Sequence, residues 1–120
     1  MIAALNTIAA LLTIGFGLFG FLAPSYTANA LDLAPSGSTM GLSEIRASVG
    51  GLFVVSGVAV LILGHPMAWT MLGIAYAGAA LGRFVSIVAD NPPVVKAFIF
   101  GGIEAALAAW LILANIGRTG

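Results

Sequence analysis

The run Phe98-Ile99-Phe100-Gly101-Gly102-Ile103-Glu104-Ala105-Ala106-Leu107-Ala108-Ala109-Trp110-Leu111-Ile112-Leu113 is apolar throughout except for Glu104. Extended to its limits at Val94 and Ile116, it exceeds the roughly 20 residues that an α-helix needs to cross the hydrocarbon core of a bilayer. A carboxylate near the middle of such a helix costs about 3 kcal/mol to insert, and groups of this kind turn inward and find a partner. The rest of the chain has to supply a cation at a matching depth.

Three further runs have the same length and character: Ile2 to Ala23, Leu42 to Leu63 and Met67 to Ala89. The sequence therefore predicts an all-α, integral membrane four-helix bundle, one transmembrane domain over residues 1–120. Its helices are expected near 2–23, 42–63, 67–89 and 94–116, with an interfacial loop over 24–41. Four crossings place both termini on one side, side B, and leave the connections after the first and third helices on the other, side A. Composition agrees, with 61% hydrophobic residues, 7% charged residues and a mean hydropathy of +1.15. The formal net charge is zero, so no basic field exists to attract nucleic acid. With no cysteine, disulfides, thiol redox chemistry and cysteine-based metal ligation are excluded.

Two motifs in and just after the first run dissolve on inspection. Gly15-Phe16-Gly17-Leu18-Phe19-Gly20 matches the dinucleotide-binding glycine pattern, but that pattern works only between a strand and a helix N-terminus. Inside an apolar span, glycines instead let a neighbouring helix approach. Ala28-Asn29-Ala30 matches a small-x-small cleavage site, yet no Lys or Arg precedes the apolar run and the run exceeds the roughly 7–15 residues of a signal core.

Charged residues concentrate toward side A. Glu44 and Arg46 fall near the start of the second helix, Arg83 about 9 Å inside the end of the third, and Glu104 about 15 Å inside the start of the fourth. Two positive and two negative side chains at similar depth are expected to form one buried neutral network, with Arg83 on Glu104 at its centre. Gly50 and Gly57 in the second helix, Gly78 and Gly82 in the third and Gly101 in the fourth are expected to be the helix-packing positions. Gly64-His65-Pro66 reads as a tight turn, Gly ending one helix and Pro opening the next. Trp69 and Trp110 fall at similar depth near side B, as in an aromatic belt.

The segment Ser43-Glu44-Ile45-Arg46-Ala47-Ser48-Val49-Gly50-Gly51, then Leu81-Gly82-Arg83, then Glu104 in the last helix, resembles a family of short bacterial four-helix membrane proteins, domain of unknown function 4345. The family pattern reads Asn-Glu-hydrophobic-Arg-Ala followed by an aromatic residue and Gly-Gly. Here Ser43 stands for the Asn and Val49 for the aromatic residue. The resemblance spans essentially the whole chain and implies a bacterial inner-membrane protein with Glu44, Arg46, Arg83 and Glu104 on matched positions. It implies no reaction.

No Ser, His and Asp arrangement can assemble, because His65 belongs to side B while Asp32 and Asp90 belong to side A. No enzyme, cofactor or metal site is expected. The favoured expectation is a non-enzymatic helix-packing or accessory subunit of a homo-oligomer or larger membrane complex, with the bilayer and other subunits as partners. The alternative is a binding or translocation protein for a lipid, a small polar molecule or a proton, using the same charged cluster.

Overall fold

A computed structural model describes residues 1–119. These are helical almost throughout, with no strand among them. Four helices are long and apolar enough to cross a membrane: Ile2–Leu22, Met40–Leu63, Pro66–Ala89 and Val94–Asn115. The chain separates into two compact units, Ala3–Leu63 with Met1, and the segment from Gly64 onward with Ile2.

In the first unit, α1 (Ile2–Leu22) ends at Ala23, whose φ of −132° and ψ of 63° break the helix. Pro24 then occupies the first position of a short helix, α2 (Pro24–Ala30), where its missing N–H is harmless and its ring pre-sets the backbone. The Tyr26 ring stacks on Phe19 with centroids 6.0 Å apart, holding the corner between α1 and α2. The amide of Leu33 then donates to the Ala28 carbonyl and that of Asp32 to Asn29, with Asp32 in the left-handed region at φ 59°. This is a Schellman closure made with Asp rather than Gly. The expected loop over 24–41 is thus partly helical at both ends.

The second span is not one regular helix. It comprises α3 (Met40–Ile45), a π-helical turn over Arg46–Gly51 and α4 (Leu52–Leu63). The amide of Leu52 reaches back five residues to the Ala47 carbonyl. The sequence explains the widening. The Ser48 hydroxyl donates to the Glu44 carbonyl at 2.6 Å, drawing on an acceptor that the ordinary ladder would use. Gly50 meanwhile lies directly against the backbone of α1: a Cβ built there would sit 2.6 Å from the Phe21 nitrogen. Gly57 does the same one stage further on, where a Cβ would meet Ile14 at 2.6 Å and the Ala10 carbonyl at 3.1 Å. From α1 the contact is returned by Gly17, against Phe53 and Val54, and by Gly20, against Val49 and Gly50. The α1 side of this seam has the spacing of a single helix face.

In the second unit, Gly64 at φ 61° terminates α4, and His65 caps α5 (Pro66–Ala89) by accepting from the Met67 amide at Nδ1, 3.1 Å. Asn91, at φ 50°, turns the chain after α5, and α6 (Val94–Asn115) follows Pro93. The two helices pack along their length. On α6 the inward row is Ala97, Gly101, Ala108, Leu111 and Asn115, with Glu104 falling in the same spacing. On α5 it includes Trp69, Gly73, Tyr76 and Ala80, ending at Arg83.

Gly78 and Gly82 are off this row. A Cβ at either would meet nothing within 4 Å, so they do not hold α5 to a neighbour within the chain. Each lies two residues, about 200° around the helix, from an inward-facing position, Tyr76 or Ala80. The close approach is made by Gly73 instead, whose added Cβ would lie 2.8 Å from the Leu111 Cβ. Trp69, at 7% exposure, is packed inside rather than set at an aromatic belt.

Every span is turned inside out relative to a water-soluble helix. Only 22–28% of the residues in each apolar window are buried, and these are largely small or neutral polar. Leu12, Phe19, Leu52, Ile62, Leu81 and Val88 are among the large apolar side chains that face outward. In water such surfaces would be an aggregation hazard, whereas hydrocarbon solvates them.

Candidate functional site

The strongest polar constellation joins α5 to α6. Arg83 donates from Nε to Glu104 Oε1 and from Nη2 to Oε2, both at 3.1 Å, a side-on fork that fixes the guanidinium plane as well as its charge. Two neighbours shape it. Gly101 lies one turn before Glu104, and the Arg83 stem rests where a Cβ would be, with Cγ 3.0 Å from that point. The Phe100 ring centroid lies 5.5 Å from the guanidinium carbon, adding a cation–π contact. The seam between the helices therefore admits a long side chain because the opposing residue has none.

The pair is not buried. The Arg83 side chain is 33% exposed and that of Glu104 17%. Glu44 and Arg46 are exposed outright. The expectation of one buried four-membered network is thus overturned, both in burial and in membership. Arg46 donates from Nη1 to the backbone carbonyl of Phe21. The Glu44 carboxylate has no hydrogen bond or ion pair to any described residue; only its backbone carbonyl is engaged, by Ser48.

The reason lies in what a helix end offers. The last carbonyls of α1 have no partner inside the helix and carry the negative end of its dipole. Ala23 satisfies Phe19 with its amide, and Arg46 satisfies Phe21. Arginine 46 is brought there by the Gly20 and Gly50 contact, which lays the π-helical turn directly on the end of α1. Counting charges by depth overlooks such backbone acceptors, because every helix has them and no residue type marks them.

What the fold does bury is neutral. Asn6 is 2% exposed, Thr13 and Thr70 1%, and Asn115 0%. Thr13 Oγ1 donates to the Ala9 carbonyl, Thr70 Oγ1 to Pro66 and Asn115 Nδ2 to Leu111, each at 2.8 Å and each four residues back. Bonding to their own helix removes most of the cost of sealing these groups. Asn115 Oδ1 also accepts from Arg118 Nη1 at 2.9 Å, placing a cation at the α6 C-terminus. These positions were not singled out from the sequence. Their signal was present in α1, where Asn6 and Thr13 share the spacing of Ala10, Gly17 and Gly20.

Among the described residues, no three His, Asp or Glu side chains converge as a metal site would require. The outer face of α1 carries a shallow groove lined by Ile8, Leu11, Leu12, Gly15, Phe16 and Phe19, apolar and without a reactive group.

Fold and site together define a small, all-helical chain with four membrane-length helices and a half-open arginine–glutamate clamp. A family model described as a domain of unknown function (DUF4345) matches residues 2–115, and the chain belongs to that family. Neither the curated proteins nor the solved structures yield a match to it.

Proposed function

We propose that the chain is a non-enzymatic subunit of the bacterial inner membrane, with both termini on one side, that assembles with copies of itself or with a larger membrane complex. The observation that carries this reading is the outward face of α5. Gly78 and Gly82 stand one turn apart with open space around them, beside the exposed Leu81 and Val85. In a bilayer, small residues at this spacing let a second helix come within backbone distance, which is where helix association gains its dispersion energy. The polar side chains support the same reading, since Arg83, Arg46 and His65 are each engaged in holding helices or their ends.

Purification from native membranes in mild detergent tests it. The expected result is a stoichiometric complex that Gly78→Leu and Gly82→Leu dissociate while helix content is retained. A single chain that stays monomeric at every concentration, with no partner, overturns it.

A second reading rests on the incomplete burial of the clamp, which leaves one third of the Arg83 side chain open. There the pair serves a proton, a small polar molecule or a lipid headgroup. Glu104→Gln separates the two: lowered stability or dissociation favours assembly, while intact assembly with lost pH-dependent flux in liposomes favours transport.

A further inference from the structure

The two arginines of the spans are neutralised differently. Arg83 has a carboxylate of its own, held in a fork. Arg46 has none: its one polar contact among the described residues is the Phe21 carbonyl, which carries only a partial charge. A guanidinium has five N–H donors, so four remain unused. Glu44 is the nearest carboxylate in sequence, but a two-residue step along the span separates the side chains by about 200° around the helix, and Glu44 makes no ion pair.

Position then decides which anion suits the remaining donors. Arg46 lies about 9 Å along the span that begins at Met40, and Phe21 is the last residue but one of α1, so the contact sits at the end of α1, within reach of the headgroup layer. Tyr26, exposed and stacked on Phe19 at the same end of α1, marks headgroup depth. At that level the abundant anion is a phospholipid phosphate, whose oxygens match the planar fork of an arginine better than the point charge of a lysine. The side chain is pre-ordered for this role, because the Phe21 bond fixes one edge of the guanidinium and leaves the other edge free.

We propose that Arg46 is a phospholipid-binding residue: with one edge it caps α1, and with the other it holds the phosphate of an anionic lipid. The inference goes beyond the assembly reading and rests only on the chain being embedded in a bilayer, which resistance to alkaline carbonate extraction tests separately.

The test uses the full chain reconstituted with equal parts phosphatidylglycerol and phosphatidylcholine, then transferred to mild detergent, with retained lipid identified by native mass spectrometry. The expected result is preferential retention of phosphatidylglycerol, reduced about tenfold in Arg46→Gln. Arg46→Lys keeps the charge and retains an intermediate amount. Equal retention by wild type, Gln and Lys variants overturns the proposal. So does a wild-type chain that shows no preference between the two lipids, an outcome that does not depend on how well the variants fold. Displacement of the phosphatidylglycerol by added inorganic phosphate identifies a soluble anion as the ligand and overturns the lipid assignment.

Discussion

Arg83 and Glu104 meet across α5 and α6 through two parallel hydrogen bonds of 3.1 Å, so neither can rotate without breaking both. Glu104→Ala is expected to lower stability by about 1–2 kcal/mol, between an exposed pair and a sealed one, because the arginine left behind keeps partial access to its surroundings. Arg83→Lys is expected to lose roughly half as much, since charge survives and the fork does not. Unfolding by dodecyl sulfate titration, followed by circular dichroism, measures both. Replacing the two together by methionines should recover most of the loss; a double variant as damaged as the sum of the singles would show that the pair is not coupled.

Glycines that look alike in the sequence should behave in opposite ways. Gly73→Ala pushes a Cβ to 2.8 Å from the Leu111 Cβ and is expected to cost about 1–3 kcal/mol. Gly78→Ala and Gly82→Ala meet nothing within the chain and should stabilise the isolated chain by up to about 1 kcal/mol each through helix propensity. The sign of the change in melting temperature in detergent is the readout.

Thr27 Oγ1 is buried on α2 without a hydrogen-bond partner. Thr27→Val keeps the shape and removes the orphan hydroxyl, so it should be neutral or stabilising by about 1 kcal/mol, whereas most substitutions at a buried site destabilise. A clear loss in the same unfolding assay would mean that the hydroxyl has an acceptor in the membrane.

Two of the left-handed residues, Gly64 and Asn91, offer a matched pair. Gly64→Ala forces a Cβ into φ 61° and is expected to cost about 1 kcal/mol, while Asn91→Gly relieves φ 50° and should gain a few tenths, roughly. Hydrogen exchange at the ends of α4 and α5 localises each effect to its own turn.

Much of this was legible in advance, and the parts that were not share a cause. Hydropathy runs located all four membrane-length helices, and the demand that Glu104 find a cation led to Arg83, because a single charge in an apolar run leaves few solutions. Gly50, Gly57 and Gly101 do lie at close contacts. The bond from Arg46 was not legible because its partner is a backbone carbonyl, nor was the open setting of Gly78 and Gly82, because small-residue spacing marks a face without saying whether that face is turned toward the same chain. The interior position of Trp69 and the buried amides of Asn6 and Asn115 depend on rotation of each helix about its axis, which composition alone does not set.

The wide turn at Arg46–Gly51 accommodates one residue more than a regular helix would over the same rise. Deleting one residue there would let the turn close to a regular helix over that rise, so the segment before it, Arg46 included, would keep its phase relative to α4. The wide turn is thus a place in this span where a single-codon deletion is absorbed, whereas one within α4 would swing the arginine about 100° away from the Phe21 carbonyl.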